Sequence, residues 1–430
     1  MWYDESIFYQ IYPLGACGCE PRQVEGEAHR LGVLEAKVDA LAKMGVGAVL
    51  LNPFLESETH GYDTTDYYKV DSRLGSFEDM KRYIDALHAK GIRAVADGVY
   101  NHCGREFFAF RDVREKKWDS PYRDWFKLNF SGNSAYNDGF YYEGWEGHYE
   151  LVAFNLYNET CANYLIEAAA WLCTALGFDG IRLDVAYLLP EPFLKKLTAR
   201  LKGINPDFFF VGEMIHGDYN KLFNAGVDAV TNYECYKGLY SSFNSKNMFE
   251  IEYAFRRQSG SEPWVLYRGK RLFNFADNHD VTRIYSILQT KENLPAVYAL
   301  LFAMPGIPCV YYGGESKATG EKREGDSALR PPLTALPPAD ECLVPIFSTF
   351  AALKKEHPAL QRGSYKTCTV TNAALSFVRE CEGDAIFFAV NCGDGEWSAP
   401  LPLSGETPCG KRAEGSVTVP PHGFTVVIRK

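Results

Sequence analysis

No stretch of this chain runs to about 18 apolar residues, the length a membrane-spanning helix needs, and no block of consecutive basic side chains occurs. With 45 Lys and Arg against 55 Asp and Glu, the formal charge is -10 and the sequence pI is near 5.5. Nucleic acid and anionic membrane both bind through positive faces, so neither is expected as a partner. Cysteine is present at 12 residues, but none are spaced CxxC, and they are too scattered for a disulfide framework or a zinc site. Free thiols in a reducing cytosol are the simpler account. Met1-Trp2-Tyr3-Asp4-Glu5 opens on acids where a secretory leader would be basic and then apolar. These absences together predict a soluble, cytoplasmic chain. They leave the oligomeric state open.

What is present is a long chain rich in core-forming side chains: 430 residues, 46% hydrophobic and 14% aromatic. That exceeds one ordinary compact domain and suits a large α/β barrel with appendages. Apolar or β-branched runs at 7–12, 47–52, 92–95, 178–184, 208–213, 228–231, 272–277 and 307–312 read as eight strands. Leucine, alanine and valine at helical spacing over 27–44 predict a helix there, stopped by Gly45 and Gly47. Ser76, three residues ahead of Asp79, opens another helix that runs to Gly91. Further helices are predicted over 159–176, 192–201 and about 345–355. Strand and helix alternating with short connections imply parallel strands and right-handed crossovers.

The rhythm breaks over 103–158, a stretch crowded with Phe107, Phe108, Phe110, Trp118, Tyr122, Trp125, Phe126, Tyr141, Tyr142 and Trp145. An insertion this long at a strand's C-terminal end is usually functional, although most of its rings are expected to form its own small core. After about residue 357 the pattern changes to short alternating strands, including 374–379, 385–390 and 425–428, as in a small antiparallel domain. The expected organisation is a barrel of residues 1–102 and 159–357, an insertion of 103–158, and a C-terminal β domain of 358–430.

In an eight-stranded α/β barrel the chemistry gathers at the C-terminal strand ends. Those ends carry Asn101 and His102, Arg182 and Asp184, Glu213, and His279 with Asp280. Arg182 and Asp184 share one face of their strand because side chains alternate with period two. No HExxH and no hydroxyl or thiol nucleophile motif accompanies these acids, so the pattern points to paired-carboxylate chemistry, as in acetal cleavage. Arg182 beside Asp184 is expected to keep that acid ionised. Glu213, nearer like charges and apolar walls, is expected to have a raised pKa and to start protonated.

The motifs Tyr9-Gln10-Ile11-Tyr12-Pro13, His60-Gly61-Tyr62-Asp63, Asp97-Gly98-Val99-Tyr100-Asn101-His102, Gly180-Ile181-Arg182-Leu183-Asp184-Val185, Val211-Gly212-Glu213 and Phe275-Ala276-Asp277-Asn278-His279-Asp280 resemble those of the α-amylase family of glycoside hydrolases. The resemblance implies a (β/α)8 barrel with an insertion domain after strand three and a C-terminal antiparallel β-sandwich. It also implies a retaining enzyme acting on α-1,4-linked maltooligosaccharides or cyclodextrins, with transglycosylation or isomerisation through the same covalent intermediate as one alternative and a non-catalytic carbohydrate-binding barrel as another. By the same resemblance Asp184 is the nucleophile, Glu213 the general acid/base and Asp280 a third carboxylate that binds ring hydroxyls. Arg182 orients the nucleophile, His102 and His279 hold sugar hydroxyls, and Tyr62 stacks under the sugar. Asp184-Val185-Ala186 is similar to the neopullulanase and cyclomaltodextrinase branch, although the Asn-Glu that follows there is absent, as is that branch's N-terminal domain. Where secreted relatives have a Lys-His pair and an aspartate serving a structural calcium, this chain has Tyr187-Leu188 and Ala153. No metal and no other cofactor is therefore expected.

Overall fold

Eight short runs, most of them buried along their whole length, pair side by side as parallel strands: β1 (Ile7–Ile11), β2 (Val46–Leu51), β3 (Arg93–Gly98), β4 (Gly180–Leu183), β5 (Phe209–Gly212), β6 (Ala229–Thr231), β7 (Arg271–Phe275) and β8 (Ile307–Tyr311). In this computed structural model, which describes residues 1–430, they close into a barrel in the order β1-β8-β7-β6-β5-β4-β3-β2. Near-continuous apolar sequence is what strands covered on both faces require. The barrel fold expected from the alternation is present.

Packing divides the chain into two compact units, one of Met1–Gln10, Asp39–Ala48 and Thr231–Lys430, the other of Ile11–Val38 and Val49–Val230. Each contains barrel strands, so this division runs through the barrel and differs from boundaries drawn at changes of sequence pattern. In the second unit β3, β4 and β5 lie in register, with Arg182 between Asp97 and Val211, and Leu183 between Gly98 and Gly212. That register fixes which side chains stand next to one another at the strand ends.

Residues 103–158 form short helices and antiparallel pairs. His148–Ala153 pairs with His102–Cys103, tying the end of the insertion to the chain that leaves β3. Phe107, Phe110, Phe126, Phe140 and Tyr142 are all buried, with the Phe110 and Tyr142 rings 4.9 Å apart, so most of the insertion's aromatics do form its own core. Trp118 is exposed and stacks on Phe130 at 4.3 Å.

The helix from Phe77 to Ala89 has the predicted reciprocal cap: Ser76 accepts from the Asp79 N–H while Asp79 accepts from the Ser76 N–H. Glu159–Trp171 continues into a π-helical turn, Leu172–Leu176, before β4. The helix expected over 27–44 is only partly present, as Gly32–Glu35 and Val38–Lys43. The reason is competition for backbone groups: the Ala28 and Arg30 N–H groups donate to Ser72 and Leu74 carbonyls at 2.8 and 2.7 Å, which holds 28–30 out of the helix along that loop.

In the first unit the C-terminal residues form a six-stranded antiparallel sheet, containing Ser364–Val370, Ala374–Cys381, Asp384–Asn391 and Gly423–Arg429, and a two-stranded sheet of Trp397–Pro400 and Ser416–Val419. Phe387, Ala389 and Val427 of the larger sheet meet Ala399, Val417 and Val419 of the smaller in one core. Two sheets facing across an apolar layer make a small sandwich.

Candidate active site

Arg182 leaves β4 fully surrounded by protein, and burying an unpaired guanidinium would cost several kcal/mol. Carboxylates on both flanks compensate it. Nη1 lies 2.7 and 2.6 Å from the two oxygens of Asp97 on β3, and Nη2 lies 2.9 Å from Glu213 Oε1, just beyond β5. Asp184, two residues along the same strand, has Oδ1 at 3.4 Å from Nη1. All four side chains are at least nine-tenths buried.

This corrects the expected electrostatics. The sequence gives Arg182 to Asp184 and leaves Glu213 without a cation. In the structure the guanidinium reaches sideways, across the in-register strands, and pairs chiefly with Asp97 and Glu213. The second Glu213 oxygen, Oε2, accepts the Val185 N–H at 2.9 Å. Val185 presents that N–H from a left-handed backbone conformation, φ 39° and ψ 44°. A β-branched side chain strongly disfavours this region, so the turn after Asp184 is held under strain by its surroundings.

Asp97 was visible only as part of a motif, yet it is the hub of the polar layer. Its Oδ2 accepts from Asn52 Nδ2 at 2.9 Å and from the Tyr62 hydroxyl at 3.2 Å. Asn52 Nδ2 also reaches the Tyr62 oxygen at 3.2 Å. Tyr62, expected as a stacking platform, is thus pinned by its hydroxyl, with its ring 6.0 Å from that of His60.

His102 is buried, and burial pushes its pKa down to about 3, so its ring is neutral at pH 7. The Asn101 amide nitrogen stands 3.2 Å from Nδ1 and donates to it, which leaves the proton on Nε2. Nε2 has no hydrogen-bond partner and lies 4.0 Å from Asp184 Oδ2. A buried, unsatisfied N–H beside a carboxylate is a site prepared for an incoming oxygen. Trp145, in the insertion, brings its ring to 6.0 Å from His102, and its indole nitrogen is likewise buried without a partner. Nothing in the sequence distinguished Trp145 from its aromatic neighbours.

The other unit holds His279 and Asp280, after β7. Gln10 Nε2, on β1, stands 2.9 Å from His279 Nδ1, and His279 Nε2 is 2.9 Å from Asp280 Oδ2. With Gln10 donating to Nδ1, the ring proton sits on Nε2 and faces Asp280. Arg330 adds an ion pair to Asp280 at 3.0 Å and donates to the His279 carbonyl at 3.2 Å. Arg330 lies in a loop that gave no sequence signal.

The model of the Alpha amylase, catalytic domain, matches residues 30–333. The chain belongs to the α-amylase family. A cyclomaltodextrinase from Bacillus sp is 28% identical over 417 residues, 91% of this chain and 73% of that protein. Among solved structures, a cyclic α-maltosyl-(1→6)-maltose hydrolase from Arthrobacter globiformis is similar with a TM-score of 0.83 at 25% identity, covering 100% of both chains. A cyclomaltodextrinase structure has a TM-score of 0.85 at 26% identity, covering 100% of this chain and 78% of that one.

The family's structural calcium does not fit the residues that this α-amylase relative presents. Calcium takes six to eight oxygens, mostly carboxylate and carbonyl. Asn101 turns its amide nitrogen to His102, its carbonyl accepts the Phe154 N–H at 3.0 Å, and Ala153 brings a methyl group where a carboxylate would be needed. Tyr187 gives its hydroxyl to Glu146 at 3.0 Å. All twelve cysteines are free, and no helix is long and apolar enough to cross a membrane.

Proposed function

We propose that this chain is a retaining hydrolase of α-1,4-glucosidic bonds in maltooligosaccharides or cyclodextrins, working in the cytoplasm without a metal. The observation that carries the reading is that Asp184 and Glu213 directly follow in-register partners, Leu183 and Gly212, on adjacent strands and share one guanidinium. Neighbouring strands stand about 4.8 Å apart, close to the separation of about 5 Å between carboxyl groups that direct attack on an anomeric carbon needs. The cyclomaltodextrinase relative and the Arthrobacter globiformis hydrolase, also solved with maltose, support the substrate class.

In this reading an Asp184 oxygen attacks the anomeric carbon while the glycosidic C–O bond breaks and the leaving oxygen takes the Glu213 proton. The product is a glycosyl ester on Asp184. Glu213, now a carboxylate, takes a proton from water as the water oxygen attacks the same carbon and frees Asp184. His102 Nε2–H and the Asp280–His279 pair bind sugar hydroxyls, and Asp280 is held for that task by Arg330. Arg182 keeps both carboxylates oriented through the cycle.

Maltotriose, β-cyclodextrin, pullulan and panose form the test panel, with the anomer of the first product read by proton NMR. Release of the α-anomer, with activity unchanged after exhaustive EDTA treatment, is the expected result. A β-anomer would overturn the double displacement, and loss of activity restored only by calcium would overturn the metal-free reading. Products longer than maltotriose as the main outcome would replace hydrolysis by transfer.

A further inference from the structure

At the opposite end of the barrel strands, where β1, β7 and β8 begin, a cavity of about 480 Å³ opens between the segments 259–271, 305–306 and 361–364. Its volume is in the range of small-molecule sites, about 300–1,000 Å³. Its charged lining is Arg268, Lys270, Arg271, Arg362 and Arg379 against a single acid, Asp4. Asp4 is already engaged by Arg271 at 2.5 and 2.8 Å, and Arg362 reaches Glu382 at 3.0 Å. Glu262 packs beside Gly260 at the edge and is the other acid nearby.

The cations at the back of this cavity are compensated differently from those around the acid layer. Arg379 is fully buried and donates only to backbone carbonyls, those of Ala303, Gly363 and Ser364, at 3.0 to 3.3 Å. Lys354, equally buried, donates to the carbonyls of Gly306, a lining residue, and Leu360 at 3.1 and 3.0 Å. Carbonyl dipoles satisfy hydrogen bonds but do not neutralise charge. Arg379, a buried cation with only such partners, behind a cavity whose rim is cationic, contributes to a field that an anion would complete.

We propose that this cavity binds a phosphate monoester of sugar size. A dianionic phosphate matches the planar guanidinium of Arg268, whose Nη2 is steadied by the Ser261 and Glu262 carbonyls at 3.0 and 2.5 Å, and the ammonium of Lys270, both exposed at the mouth. The space left over is lined by Ser259, Ser261 and Gln361, whose neutral polar groups suit hydroxyls. The cavity lies where β7 begins, whereas His279 and Asp280 follow the end of β7, so its occupant is an effector or a second ligand and not the hydrolysed bond. The proposal does not depend on the reaction assigned above.

The test is isothermal titration of the full chain with a hexose 6-phosphate in low-salt buffer, with inorganic phosphate and the neutral hexose as parallel probes. Saturable binding of the hexose phosphate, at least several-fold tighter than inorganic phosphate and absent for the hexose, is expected. The double variant Arg268→Ala/Lys270→Ala should weaken it by roughly 10-fold or more while leaving turnover of maltotriose unchanged. Glu262→Gln should tighten it. No saturation by 10 mM ligand, on the order of the weakest affinities worth calling specific, would overturn the proposal. So would equal affinity in the double variant. Equal affinity for inorganic phosphate would overturn the sugar part of the assignment.

Discussion

Arg182 and Arg379 are the same side chain at nearly the same burial, 4% and 1% exposed, yet the protein surrounds them in opposite ways. Arg182 meets Asp97, Glu213 and Asp184; Arg379 meets three backbone carbonyls and no carboxylate within hydrogen-bond range. The first arrangement concentrates negative charge that would repel itself without the guanidinium between. The second ties the loop at 363–364 to the end of the helix Leu294–Ala303, using the arginine as a five-donor clamp. A buried arginine therefore marks a catalytic cluster only when the charges around it would be unstable without it, whereas one held by carbonyls leaves its charge to act on what lies beside it.

The comparison is broken most severely at the acids themselves. Asp184→Asn replaces the carboxylate proposed to attack by a neutral amide and is expected to lower kcat by on the order of 10⁴ or more, and Glu213→Gln by roughly 10²–10⁴. Circular dichroism and thermal midpoint should stay near wild type in both, and either variant retaining over a tenth of the activity would remove that residue from its assigned role.

Arg182→Met and Arg379→Met sharpen the contrast directly. The first leaves a cluster of buried carboxylates without their cation, which costs about 3–5 kcal/mol and should also abolish turnover. The second leaves carbonyls without donors at about 1–3 kcal/mol and should leave kcat/KM for maltotriose untouched. Urea melts beside steady-state kinetics measure both quantities. Equal losses of activity in the two variants would erase the distinction.

The smallest effect is a pH dependence. Burial, aided by the nearby Arg379 charge and opposed by Asp4, pushes the Lys354 ammonium down to about 7, from about 10.4 in an unfolded chain. Between those values the unfolded state holds more protons at this residue than the native state, so its contribution makes stability rise with pH. Below about 7 both states are protonated and the contribution is flat at its least favourable level. Thermal midpoints of wild type and Lys354→Met taken from pH 6 to 10 should converge or cross as pH rises, because only wild type carries this slope. Parallel curves would show that Lys354 titrates normally.

Much of this was legible in the residues. Apolar or β-branched runs located all eight barrel strands, since strands buried on both faces need near-continuous apolar sequence. The Ser76–Asp79 cap was visible because both its members lie within one helical turn. Period-two alternation put Arg182 and Asp184 on one face, and the polar residues following the strands named Glu213, His102, His279 and Asp280. The helix expected over 27–44 formed only in part because the partners of Ala28 and Arg30 lie more than 40 residues away, at Ser72 and Leu74. Asp97, Trp145 and Arg330 passed unmarked for the same reason, as their importance lies in neighbours that local pattern does not reveal.

Local propensity and hydrophobic periodicity by themselves settled the alternating strands and helices, the polar residues that end each strand, and the family they resemble. Register decided the rest. Whether Arg182 serves its own strand or the two beside it depends on which residues stand laterally opposite, and that is fixed only when β3, β4 and β5 hydrogen-bond with Asp97 and Val211 flanking Arg182. Charge pairing in a buried layer is a property of distances of a few ångströms between segments far apart in sequence, and only the folded chain sets those distances.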